Sequence, residues 1–279
     1  MPELPEVETI KRDLESLVVG KRIIEVDIVR DPKGFRALRR FPSQQTFIRE
    51  VEGRSITQID RRGKYLLLKL DTGDTLIVHL GMAGQLLYRE RAMEREDFTR
   101  IAFILDGYEL RFVDARKFGE LYLYSPGIYE DLDVSKLGPE PLSDAFTPDY
   151  LTRVLAKKKK AIKSVLMDQN VIAGIGNIYS DEILFEARIH PQRPASSLDS
   201  QKIRKLHQAT KVVLKRAIHL RGTSARDERF VDAFGRQGNF QGQLKVYQRT
   251  ERPCIICGRP IATSKFGGRS AHFCPYCQK

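Results

Sequence analysis

The chain has four cysteines, in two pairs: Cys254-x2-Cys257 and Cys274-x2-Cys277, sixteen residues apart. Each pair can deliver two thiolates from one tight turn, and four thiolates at this spacing fit one tetrahedral zinc ion. Such a site has no open position for substrate, so the zinc expected here is structural. His79, His190 and His272 lack the spacing of rival ligands. The other end of the chain offers different chemistry. It begins Met1-Pro2-Glu3-Leu4-Pro5-Glu6, and removal of Met1 ahead of the small residue at position two would free the secondary amine of Pro2. That amine can attack an electrophilic sugar carbon and form an iminium, and Glu3 beside it can give or take a proton. The same residues also read as an ordinary helix start, with Pro5 in the first turn and Glu6 and Glu8 near its positive end.

These groups need elements to hold them. Val7, Ile10, Leu14 and Leu17 recur at helical spacing and give one apolar face, which Gly20 ends. From Ile24, Val26 and Ile28 the period becomes two. KYLLLKL, TLIVHLG, QLLYRE, RIAFIL, YELRFVD and ELYLYS follow, broken by DTGD and DG turn signals. Short strands at this spacing predict an antiparallel β-sandwich or barrel over residues 1–130. Residues 131–148, rich in Pro, Asp and Ser, read as a linker. From 149 the period becomes helical, opening a domain expected to run to 243. Tyr150, Leu151, Val154 and Leu155 share a face, and Lys157 to Lys160 and Lys163 follow. In GIGNIYSDEILF (174–185) a glycine turn feeds a helix that Asn177 can cap, leaving N–H groups for a phosphate. With a second helix over roughly 198–220 this reads as a helix-turn-helix variant. Residues 221–243 have no steady period, and a structureless stretch of that length is usually functional or mobile. Residues 244–279 carry the cysteines around a β-hairpin with Phe266-Gly-Gly-Arg269 near its tip. The fold class expected is α+β and multidomain.

With 48 Lys+Arg against 36 Asp+Glu, a net charge of +12 in 279 residues, the partner favoured is a polyanion, nucleic acid ahead of an anionic membrane surface. No apolar run reaches membrane-spanning length and the first residues are too charged for a signal peptide, so a cytoplasmic location is expected. Three stretches in the first half are compatible with two readings each. In RRGK (61–64), Lys64 is either a surface lysine with a buried stem or a cation placed beside the terminal amine. In GMAG (81–84), Met82 either fills a core gap or forms a wedge for a base stack. In DARKFG (114–119), Arg116, Lys117 and Phe118 suit an unstacked base step or a plain hairpin loop.

Taken together, PELPEVE, RRGKYLLL, HLGMAGQL, DARKFG, LGPEPLS, AIKSVLMDQN, GIGNIYSDE and the finger ending FCPYCQK resemble the formamidopyrimidine-DNA glycosylase family of base-excision repair. The resemblance spans nearly the whole chain. It implies an N-terminal β-sandwich, a helix-two-turn-helix bundle and a zinc-finger hairpin. It implies a monomer with one structural zinc, no organic cofactor, and double-stranded DNA carrying oxidised bases as substrate. Its implied roles are Pro2 as nucleophile at C1′, Glu3 as acid/base partner, Lys64 in base loss and β-elimination, and Arg269 in phosphate grip and δ-elimination. His79, Lys158, Lys163 and Asn177 would contact DNA. Met82, Arg116 and Phe118 would fill the gap left by the flipped nucleotide, and loop 221–243 would cover the extruded base. One departure is visible: where the family often carries a His before RIAFIL, the matching place here holds Thr99. Two rival readings are an oxidised-pyrimidine glycosylase of the endonuclease VIII branch, which would differ in loop 221–243, and a non-enzymatic zinc-ribbon DNA binder, which would need neither Pro2, Glu3 nor Lys64.

Overall fold

The computed structural model describes residues 1–29, 38, 43–125, 134–225, 230–266 and 268–279. The chain forms two compact units, 1–135 with 221–239, and 136–220 with 240–279.

The first unit opens with α1 (Leu4–Val18), which carries Glu3 at its N-cap and Pro5 in its first turn. Val7, Ile10, Leu14 and Val18 are fully buried along one face, while Leu17 is only partly covered. Burial of each such side chain stabilises the unit by roughly 1.5–3 kcal/mol. Strands β1 (Glu25–Ile28), β6 (Thr99–Ile104), β7 (Tyr108–Val113) and β5 (Gln85–Glu90) make one antiparallel sheet in the order β1-β6-β7-β5. β2 (Ile56–Arg62), β3 (Tyr65–Leu70), β4 (Thr75–His79) and β8 (Glu120–Tyr124) make the other, in chain order. The alternating residues of both sheets share one core with the face of α1 and with Phe47 of α2 (Gln44–Val51). The expected alternation Ile24, Val26, Ile28 fails at its start. Ile24 is exposed and Ile23 is buried instead, because the paired register begins only at Glu25 opposite Ile104.

The second unit contains α3 (Pro148–Leu155), α4 (Ile162–Leu166), α5 (Asn177–Glu186) and α6 (Ser200–His219), then the hairpin β9 (Ala262–Phe266) and β10 (Arg269–Phe273). Helix α5 is buried along nearly its whole length and touches α4, α6 and β10. Thr147 caps α3 through the Tyr150 N–H, and Asp199 caps α6 through the Lys202 N–H.

Two segments sit differently from the sequence reading. Residues 136–148 of the expected linker make packing contacts with the second unit. Gly138 N–H bonds Gln169 O, a Cβ at Gly138 would lie 2.4 Å from the Val171 carbonyl carbon, and Phe146 is buried under the His207 ring. Residues 221–239, assigned from sequence to the helical domain, belong to the first unit, where Phe230 and Ala233 enter the core. Residues 131–133 of the expected linker, 226–229 of the expected covering loop and Gly267 of the hairpin tip lie outside the described residues. Among the described residues no helix is long and apolar enough to cross a membrane.

Candidate active site and DNA-binding surfaces

Pro2 and Glu3 are both buried, directly ahead of α1. The helix start is a capping box. The Glu3 N–H donates to Glu6 Oε2 at 2.8 Å, which holds the terminal backbone in one direction. Glu6, itself buried, spends its other oxygen on the Thr223 N–H at 2.7 Å. Arg221 donates to Asp13 of α1 and to Asp232, so the 221–239 segment is tied to the same helix. Gly222 has φ +81°, and a Cβ there would meet Glu6 Oε1 at 2.8 Å, which only glycine avoids. Further along, Ala233 O accepts the Tyr88 N–H from β5. The segment expected to cover an extruded base is therefore anchored at both flanks to the unit that carries Pro2.

Lys64 lies in the tight turn between β2 and β3 and is buried, which overturns the surface-lysine reading. Its strand is locked to α1 through Arg61, which bonds Glu8 Oε2 at 2.8 Å. Burial raises the Glu8 carboxyl, but hydrogen bonds from Arg61 and Arg12 bring it below its ordinary value.

The two loops expected to enter DNA meet backbone to backbone. A Cβ at Gly81 (φ +61°) would lie 2.4 Å from the carbonyl carbon of Phe118, so the Leu80–Gly84 turn presses on the 114–119 loop. Asp114, buried, caps that loop by accepting from the Arg116 and Gly119 N–H groups. Met82, Arg116 and Phe118 are exposed beyond this frame. Exposure of Met82 disposes of the core-filler reading. His79 closes β4, half-buried, with its ring 4.8 Å from that of Tyr65.

In the second unit the basic run separates by position. Lys157 to Lys160, Lys163, Ser164, Met167, Asp168 and Arg269 are among the residues that line a concave surface of about 650 Å³. Lys158 reaches toward Asp168 at 3.7 Å and Arg269 is exposed at the start of β10. Lys163 does something else. Only 2% exposed, its ammonium bonds Asp181 Oδ1 at 2.6 Å and Ser270 O at 2.7 Å, while Asp181 Oδ2 accepts from the backbone N–H of His272 and meets its Nδ1, each at 2.9 Å. Lys163 is thus a buried strut joining α4, α5 and β10. Asn177 is corrected: Gly176 is the N-cap of α5 and Asn177 its first residue. The Asn177 Oδ1 is buried without a hydrogen-bond partner among the described residues. Gln169 shapes the glycine turn before it, accepting from Gly174 N–H and donating to Ile175 O.

Sequence reasoning missed Glu6, Asp181, Glu182 and Gln169. Glu182, fully buried, accepts the N–H groups of Lys245, Val246 and Tyr247 and so fixes the entry to the finger; burial raises its carboxyl above the ordinary value against those bonds. The signal was there: two adjacent acids inside an otherwise apolar helix must have buried partners.

The four cysteine Sγ atoms lie within 4.8 Å of one another. Cys254 and Cys277 are 3.9 Å apart and Cys257 and Cys274 3.5 Å. A tetrahedron with Zn–S bonds of about 2.3 Å has edges of about 3.8 Å, so the cluster fits that ion. The Arg259 N–H, helped by the neighbouring thiols, lowers Cys257 to about 7, whereas burial raises Cys274, and raises Cys277 to about 12. Cys254 and Cys274, with Val246, Ile261 and Phe185, form a small core of their own, against which Cys277 packs.

A helix-bound N-terminus, a cationic surface and a four-thiolate finger define a DNA-processing enzyme with its own zinc-finger module. Comparison with known proteins agrees. Residues 1–121 match the formamidopyrimidine-DNA glycosylase N-terminal domain, 137–229 the formamidopyrimidine-DNA glycosylase H2TH domain, and 252–279 the zinc finger found in FPG and IleRS. The formamidopyrimidine-DNA glycosylase of Desulforamulus reducens is 44% identical over 100% of this chain and 99% of its own length. The crystal structure of MutM (FPG) from Thermus thermophilus superposes with a TM-score of 0.87 at 42% identity, covering 99% of this chain and 98% of that one. A Lactococcus lactis Fpg in complex with abasic-site DNA superposes at 0.89 with 35% identity, covering 99% of each chain. The chain belongs to the formamidopyrimidine-DNA glycosylase family, and is a DNA glycosylase of base-excision repair.

Proposed function

We propose that the enzyme releases oxidised purines, 8-oxoguanine and formamidopyrimidines, from double-stranded DNA and then cuts the strand. The observation that carries this reading is the buried Pro2-Glu3 start held by the Glu6 capping box. With Met1 removed, the Pro2 nitrogen attacks C1′ of the damaged nucleotide. The glycosidic bond breaks and the base leaves with a proton; the C1′–O4′ bond of the sugar ring then opens, O4′ taking a proton, and the nitrogen lone pair completes an iminium that joins enzyme to sugar. Glu3 exchanges the proton and Lys64, on its fixed turn, assists base departure. Loss of a C2′ proton then expels the 3′ phosphate, and a second elimination, assisted by Arg269, expels the 5′ phosphate. Met82, Arg116 and Phe118 occupy the gap in the stack. Lys158, Asn177 and Arg269 hold phosphates, His79 contributes a further contact, and the loop 221–243 covers the extruded base. Cys254, Cys257, Cys274 and Cys277 hold one zinc ion, whose contribution is to fold the finger.

The test is borohydride trapping on a duplex containing 8-oxoguanine, run beside mass spectrometry of the N-terminus. Processed protein should give a covalent adduct. Protein that keeps Met1 has an amide at Pro2 and should bind but neither trap nor cleave. Equal trapping by fully Met1-retaining protein would move the nucleophile elsewhere, with Lys64 the first candidate.

A further inference from the structure

Phe98 sits in a backbone conformation that its residue type resists. Its φ is 64°, a region where a bulky side chain is an outlier, yet the ring is 56% exposed. A strained residue whose ring is turned to solvent gives little back to the fold, and such residues concentrate at functional sites.

The strain is enforced from both sides. The Thr99 N–H and Oγ1 both bond Glu96 O, at 3.1 and 2.7 Å, which turns Thr99 inward and Phe98 outward. Glu96 is clamped by Arg89 and by the fully buried Arg111, which also holds Glu109. On the other side the Asp114 N–H donates to Phe98 O at 3.1 Å and Arg100 Nε donates to Asp114 O at 2.9 Å. Asp114 thus holds Phe98 through its backbone while its carboxylate shapes the Arg116–Phe118 loop. The Arg100 guanidinium lies 5.6 Å from the Phe98 ring centroid. Thr99 is buried, whereas the residue before it stands out beside the loop that Asp114 organises.

We propose that Phe98 is a DNA-contacting residue, its ring packing on the apolar face of a nucleotide, deoxyribose or base, in the bound duplex. This rests on the reading of Met82, Arg116 and Phe118 as DNA-facing. Aromatic contacts of this kind change affinity about tenfold when removed. Because the ring displaces no counterion, its loss should leave the salt dependence of binding unchanged.

The experiment measures duplex affinity at several salt concentrations, with an abasic-site analogue as the lesion, alongside urea unfolding. Phe98→Gly and Phe98→Asn both tolerate positive φ. Each should be at least as stable as the parent and bind about tenfold more weakly, with an unchanged salt slope, while Phe98→Tyr binds normally. Parent-like binding by Phe98→Gly overturns the proposal, as does weakening by Phe98→Gly alone with Phe98→Asn normal, since chain flexibility would then be the cause. Phe118→Ala separates the two levels. If it weakens binding while Phe98→Gly does not, only the Phe98 assignment falls; if neither has any effect, the DNA-facing reading of this edge falls as well.

Discussion

Replacing Lys163 by methionine keeps the stem and removes the ammonium. In the folded protein that ammonium bonds Asp181 Oδ1 at 2.6 Å and Ser270 O at 2.7 Å, and its side chain is only 2% exposed. Breaking a buried ion pair by deleting one partner costs about 3–5 kcal/mol, because the other charge is left uncompensated. Asp181 would keep its two bonds to His272 at 2.9 Å, which puts the expected loss near the lower end, about 3 kcal/mol or roughly a hundredfold in the unfolding equilibrium. Lys158→Ala is the matched contrast. That side chain is 39% exposed and 3.7 Å from an exposed Asp168, a pair worth about 0–1 kcal/mol to stability. Its loss should instead reduce the salt slope of DNA binding by about 0.9. The assay is urea unfolding of the zinc-loaded protein by circular dichroism, with binding isotherms across a salt series. A Lys163→Met protein that unfolds like the parent and shows the shallower slope would refute the strut and restore Lys163 as a phosphate contact.

Other expectations follow from the same geometry. Cys274→Ser should release the metal and unfold the finger, lowering DNA binding, while the first unit keeps its strand signal; zinc analysis and circular dichroism check both. Stability of the first unit should fall below about pH 4.5, where unfolded carboxylates protonate. Glu8, Glu96 and Glu109 are raised by burial but brought below the ordinary value, Glu8 and Glu109 by their arginines and Glu96 by a backbone hydrogen bond and then its arginines, so their contribution is full above the unfolded value and disappears as pH drops through the folded ones. Urea midpoints at about pH 6 and about pH 4 measure it, and a flat profile would contradict it. Gly81→Ala, at φ +61° and with its Cβ 2.4 Å from the Phe118 carbonyl carbon, should lose roughly 1–3 kcal/mol and slow base excision more than cleavage of a preformed abasic site. Equal effects on the two substrates would count against a role for this loop pair in base extrusion.

Where the physics is local, the sequence was decisive. The cysteine spacing fits one tetrahedral ion because each CxxC is a single turn, and the structure brings all four Sγ atoms together. The apolar face of α1 and the six alternating runs in the first half became the helix and six of the eight strands of the two sheets, since a period of 3.6 or 2 is set by the backbone alone. Only tertiary packing decided the rest. Lys158 and Lys163 belong to one basic run, but Lys163 faces Asp181 of α5, eighteen residues on, and that partner makes it a strut. Phe98 and Thr99 are neighbours in the chain, but bonds to Glu96 and Asp114 leave Thr99 buried and Phe98 exposed. Residues 221–239 followed a helix in the chain and packed with the first unit through Thr223–Glu6 and Arg221–Asp13. Partners more than two hundred residues apart leave no periodic trace in either segment, because their pairing depends on where the intervening chain folds and not on the neighbours of either residue.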